Sequence, residues 1–178
     1  MQSIKDRLPA TAKDLKLNLG TISRSEHLTE RQRLGTLVAT ALAARNPQLL
    51  AAAEEEAAER LGAEDLALAK AVASTMGMNN VYYRFAHLVE DPEYLTLPAR
   101  LRMQALASPE DDKLDRELWA LAVSAVNGCG MCIQAHERTL REHGATKAQI
   151  QDAVRVAAVV SAVAAVLDAE PSSAPTAA

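Results

Sequence analysis

The chain has 178 residues with 49% hydrophobic content, enough to bury a core and too much for a disordered chain. Alanine (36) and leucine (23) dominate against seven Gly, seven Pro and 3% aromatics, which predicts an all-α protein. The net charge is −4, with 19 basic residues dispersed among 23 acidic ones, so nucleic acid is excluded as an expected partner.

The first twenty residues carry Lys5, Asp6, Arg7, Lys13, Asp14 and Lys16 where an export signal needs an apolar run, so a cytoplasmic location is expected. Charges recur too often for any window to resemble the roughly 20 apolar residues of a membrane span, and no membrane association is expected. Thr29 and Gln32 stand at capping-box spacing before an amphipathic helix through Leu34, Leu37, Val38, Ala41 and Leu42 that stops near Arg45. Pro47 opens a second helix, for which Gly62 is the expected C-cap. A run from Leu66 to Met76 reaches Gly77, read as a break, and a further helix runs from Asn79 to Glu90 before Asp91-Pro92. Leu95 to Leu106 reads as a short helix behind Pro98. Ser108-Pro109-Glu110-Asp111 has the pattern of a helix start, giving a helix from Pro109 to about Val126 that Asn127-Gly128 breaks. Another helix opens near Cys129 and closes at Gly144, and Thr146 with Gln149 caps a last one reaching Ala169. Residues 171–178 are expected to form a flexible tail.

Laid on itself with a shift of 51 residues, the chain pairs AVASTMGMNN (71–80) with AVSAVNGCGM (122–131), so that Ala71, Val72 and Gly77 match Ala122, Val123 and Gly128. An internal repeat with halves of about 20–95 and 96–170, within one domain over 1–170, is one account; the chance likeness of alanine-rich helices is the other.

The chemistry concentrates in NGCGMCIQAHERTL. Cys129 and Cys132 stand three apart and His136 four beyond Cys132, so all three share one face of a helix. A helix start favours a thiolate there, and Gly128 and Gly130 keep bulk away from the sulfurs. Glu117 lies in an otherwise apolar stretch of the preceding helix; if the two helices pack as a hairpin it meets His136 and orients the imidazole toward the Cys132 thiol. Alternatives stay open. A C-x-x-C pair also begins a zinc site, with His136, His143 or Glu117 to complete it, or is two structural thiols. Glu117 can equally pair with Arg116 or Arg138, and His136 with Glu137 or Glu142. His143 reads as complementing a helix C-terminus, Trp119 as core, and Tyr82 and Tyr83 as core or subunit interface; His27 and His87 have no partner cluster.

The stretch ELWALAVSAVNGCGMCIQAHERTL (117–140) resembles the active-site segment of the alkyl hydroperoxidase D family, in the carboxymuconolactone decarboxylase-like superfamily. KDLKLNL, GTLVATALAARNPQLL and MGMNNVYYR fit the same family in order and spacing. The resemblance implies a helical homotrimer with an internal two-fold repeat, acting as an antioxidant alkyl hydroperoxide reductase. It implies that Cys132 attacks the peroxide and becomes a sulfenic acid, that Cys129 donates a proton and closes the disulfide, and that Glu117 and His136 relay protons. It further implies no bound cofactor, with dihydrolipoamide as external reductant on a lipoylated dihydrolipoamide acyltransferase, and an AhpC-type peroxiredoxin as partner. Helix-start electrostatics alone favour Cys129 as the more acidic thiol; the base four residues beyond Cys132 decides for Cys132. Some family members have histidine where this chain has Met131, so any proton handling at that position is missing here. A superfamily lyase without thiol chemistry and a zinc or redox-sensing module are the competing readings.

Overall fold

The computed structural model describes residues 1–106 and 113–169. Its elements among these are helical: α1 (Gln2–Arg7), α2 (Lys13–Ile22), α3 (Glu30–Ala43), α4 (Pro47–Leu88), α5 (Glu93–Thr96), α6 (Lys113–Asn127), α7 (Gly130–Glu142) and α8 (Lys147–Ala169), with 3-10 turns at Ala10–Ala12 and Gln104–Leu106. The helix-start pattern at Ser108–Asp111 and the tail at 171–178 lie outside the described residues.

The capping signals act as the sequence predicts. Thr29 Oγ1 accepts the Gln32 N–H while Gln32 Oε1 accepts the Thr29 N–H, and Thr146 and Gln149 make the same exchange at the start of α8. Asn46, which the spacing did not single out, caps α4 through its Oδ1 and the Leu49 N–H (2.8 Å) and donates to Asp168 (2.7 Å), tying the α3–α4 turn to the end of α8.

α3 departs from the amphipathic reading. Its residues from Gln32 to Ala41 are buried in unbroken succession, because α4, α6 and α8 pack around it. Of the polar groups this encloses, Thr36 and Thr40 donate to the carbonyls one turn back (both 2.7 Å), while Gln32 donates to Asp115 of α6 (2.8 Å) and Arg33 pairs with Glu56 of α4 (3.6 Å). Gly35 lets α6 approach, since a Cβ there would lie 2.3 Å from the Trp119 ring carbons. Trp119 is fully buried, as expected, and its indole N–H donates to the Gln32 carbonyl (3.2 Å). Arg31 grips Asp65 through Nε and an Nη (2.9 and 2.7 Å), also bonds Asp115, and lies 5.5 Å over the Trp119 ring. That cluster joins α3, α4 and the first turn of α6.

Three further expectations change. α4 is non-helical at Gly62 (φ 75°, ψ 162°), which agrees with a stop there, but it runs unbroken through Gly77. Glycine in a helix interior costs only about 0.5–1 kcal/mol, and the buried Val72, Ala73, Met76, Asn79 and Asn80 supply packing on both sides of it. The 51-residue shift therefore pairs an unbroken helix with a broken one. The helix expected from Leu95 to Leu106 is instead one turn at Glu93–Thr96 and a 3-10 turn at Gln104–Leu106, with no helix between; Pro98 in the middle cannot continue a helical ladder. Finally, α8 is long and apolar enough to cross a membrane, contrary to the sequence reading. Half of its apolar window is buried, and Ile150, Val156, Val160 and Val163 pack it against α2, α3 and α6. The N-terminal elements α1 and α2, with Leu8 just after α1, add Ile4, Leu8, Leu19 and Ile22 to the core.

Candidate functional site

α6 and α7 meet at an abrupt turn. Gly128 has φ 68°, the left-handed region that a side chain disfavours, and its N–H reaches the Ala125 carbonyl (3.3 Å) while the Cys129 N–H reaches the Ser124 carbonyl (3.1 Å). This is a Schellman ending of α6. The residue that completes it, Cys129, is also the N-cap of α7: its sulfur accepts the Cys132 N–H (3.3 Å) in the place a serine hydroxyl usually takes. Helix geometry then brings Cys132 one turn on, and the two cysteines are joined as a disulfide with their Cα atoms 5.3 Å apart.

The turn also folds α7 back along α6, as a hairpin requires. Glu117 Oε2 lies 2.7 Å from His136 Nδ1, so the carboxylate accepts from that nitrogen and leaves Nε2 as the atom able to take a proton. Both side chains are mostly covered, 17% and 14% exposed. The surface pairing of Glu117 with Arg116 or Arg138 is not what forms. His136 sits four residues beyond Cys132, one helical turn, on the same face.

Both cysteines are covered. Cys129 is fully buried and Cys132 5% exposed, yet Gly128 and Gly130 on either side of Cys129 are exposed, and a Cβ at either would meet nothing within 4 Å. Two exposed residues without side chains thus flank the buried Cys129. Met131 and Ile133, the neighbours of Cys132, are partly exposed.

Other expected residues fall elsewhere. His143 ends α7 with Nδ1 2.7 Å from the Thr139 carbonyl, the C-terminal role expected of it. Tyr82 and Tyr83 are half-buried and meet edge to face at 5.2 Å. Among the described residues no group of three or more His, Cys, Asp and Glu is placed to hold a metal ion.

Sequence reasoning missed the polar group behind the turn. Asn80 of α4 is fully buried; its Nδ2 donates to Ser124 Oγ and its Oδ1 accepts from Asn127 Nδ2, both at 3.0 Å. Arg84 donates to the Asn127 carbonyl (2.6 Å). The available signal was the Asn79-Asn80 pair in an apolar helical run, where asparagine is a poor helix former.

This arrangement can be set beside known proteins. The alkyl hydroperoxide reductase AhpD of Maricaulis maris is 55% identical over 170 residues, covering 96% of this chain and 98% of the relative. The chain belongs to the AhpD family. The AhpD of Bradyrhizobium sp. (strain BTAi1) is 51% identical over 178 residues, all of this chain and 98% of the relative, and that of Methylobacterium sp. (strain 4-46) is 54% identical over 94% of this chain and 96% of the relative. The carboxymuconolactone decarboxylase family profile matches residues 92–171. In this AhpD chain that stretch holds α6 and α7, hence both cysteines, Glu117 and His136.

Proposed function

We propose that the chain is a thiol-dependent alkyl hydroperoxide reductase that cycles Cys129 and Cys132 between dithiol and disulfide. The observation that carries this is the bridged pair at the start of α7, with His136 one turn beyond and hydrogen-bonded to Glu117; the names of the AhpD relatives support the substrate class.

The reduced pair reacts in two steps. His136, held by Glu117, takes the proton of the Cys132 thiol, and the thiolate attacks the outer oxygen of a hydroperoxide. The O–O bond breaks, the alcohol leaves with a proton supplied through Cys129 or the imidazolium, and Cys132 carries a sulfenic acid. The Cys129 thiolate then displaces hydroxide, which leaves as water, and the disulfide seen in the structure results. An external dithiol returns two electrons and two protons by thiol–disulfide exchange. The sequence asks for no metal or flavin. Cys132 is the residue of the pair with residual exposure, which suits it to meet both peroxide and reductant.

The reductant in this reading is dihydrolipoamide carried by a lipoylated acyltransferase, an AhpC-type peroxiredoxin is a further electron acceptor, and the protein works in the cytoplasm as a homotrimer. The test is peroxide consumption with dihydrolipoamide. The parent turns over, and Cys132→Ser reduces the rate to background; undiminished turnover in that variant discards the mechanism.

A further inference from the structure

We propose that Asn80 is a positioning residue for the dithiol pair, holding the last turn of α6 so that Cys129 stays within bridging reach of Cys132. The inference rests on the dithiol reading above and adds a part of the protein, α4, that touches neither sulfur through any hydrogen bond described.

The argument follows the chain of contacts. Ser124 and Asn127 are three apart and so share one face of the final turn of α6. A single carboxamide on α4 reaches both, donating to one and accepting from the other. Ser124 is fixed a second time by its hydroxyl, which donates to the Ala120 carbonyl (2.7 Å), and its own carbonyl holds the Cys129 N–H. Arg84, one turn further along α4, secures the other end through the Asn127 carbonyl. The backbone that carries Cys129 therefore hangs from α4 at two points.

Burying an amide at this depth is unfavourable unless both of its polar groups are matched, and here both are. A matched, fully buried carboxamide tolerates little displacement, which makes it a stiff anchor. An apolar residue would fill the same core position without imposing a register on the turn. Stiffness matters to this chemistry because closing a disulfide within one chain depends on the effective concentration of one thiol at the other. A slack turn lets Cys129 drift from Cys132, and the open dithiol gains.

The test equilibrates the full chain with mixtures of dithiothreitol and its cyclic disulfide. The two thiols of dithiothreitol supply two electrons and two protons, opening the Cys129–Cys132 bond while the reagent closes into its ring. The bridged fraction is read by alkylation and mass spectrometry. Asn80→Ala is expected to move the midpoint toward the dithiol by about tenfold in equilibrium constant, roughly 30 mV. Arg84→Ala, at an exposed residue whose loss leaves the core intact, is expected to move it the same way by about threefold. Arg60→Ala, which loosens a surface pair with Glu30 and shares no bond with this group, leaves it unmoved.

Midpoints of Asn80→Ala and Arg84→Ala equal to that of the parent overturn the positioning role while leaving the dithiol reading intact, and so does an equal shift in all three variants. Should Asn80→Ala fail to fold, Arg84→Ala decides alone: a shift supports the role and the parent midpoint overturns it. A parent pair that shows no midpoint at any dithiothreitol ratio overturns the dithiol reading and this inference together.

Discussion

Glu117 and His136 lie on different helices, and each is unremarkable until the α6–α7 turn closes. A carboxylate accepting from Nδ1 fixes the tautomer whose free Nε2 can act as a base, so in the proposed relay Glu117 serves the cysteine only through the ring. Glu117→Gln keeps the shape but not the charge and can present its amide hydrogens to Nδ1, stabilising the wrong tautomer. The expected result is a loss of about 100-fold in kcat/KM for peroxide, within the range of general base catalysis, with the Cys129–Cys132 bridge still forming under oxidant. Steady-state rates beside a thiol count check this, and an unchanged rate removes Glu117 from the relay. At the same scale, Cys129 shows how one residue serves two elements. It terminates α6 through its N–H and starts α7 through its sulfur, so the redox group is part of the backbone's own hydrogen-bond accounting.

At the scale of the element, two glycines that look alike in the sequence behave oppositely. Gly77 is an ordinary helical residue, and Gly128 sits at φ 68° in a Schellman turn. Neither would meet another atom within 4 Å if given a Cβ, so backbone conformation alone separates them. Gly77→Ala is expected to stabilise the protein by about 0.5–1 kcal/mol, since alanine lowers the entropy of the unfolded chain and suits a helix. Gly128→Ala is expected to destabilise it by about 1–2 kcal/mol, the penalty of a left-handed L-residue. Denaturant unfolding of the oxidised forms measures both, and a destabilising Gly77→Ala would restore the break that the sequence predicted. Glycine's ability to end a helix is readable from sequence; whether it does so depends on what packs on either side of it.

Across the whole molecule the uneven distribution of apolar surface stands out. α4 presents Val81, Phe85, Leu88 and Val89 to solvent, 58%, 50%, 68% and 40% exposed, and α5 with the residue that follows it adds Tyr94, Leu95 and Leu97. Phe85 and Tyr94 meet edge to face at 5.2 Å, which makes the two segments one patch. A contiguous apolar patch of this kind is the usual mark of an association surface, and it is the surface we assign to the proposed trimer. Phe85→Glu with Leu88→Glu is expected to convert the trimer to monomer in sedimentation velocity while the disulfide still forms. A parent that sediments as a monomer, or a double variant that remains trimeric, removes that assignment. Arg84 lies within this stripe and reaches the Asn127 carbonyl, so the patch adjoins the turn that carries the pair.

The sequence by itself determined the helical class, the capping of α3 and α8, the stops at Gly62 and Gly128, and the cysteine pair one turn before a histidine. These depend on local backbone preferences and on spacing within a single helix, which neighbouring residues set. It left open whether Glu117 would find His136, read α3 as amphipathic where it is buried all round, broke α4 at Gly77, extended a helix past Pro98 and gave no role to Asn80 or Arg31. Those outcomes depend on which helices become neighbours. Only packing decides whether an alanine-rich stripe is covered on one side or on all sides, whether a glycine is held inside a helix, and which distant polar group satisfies a buried amide.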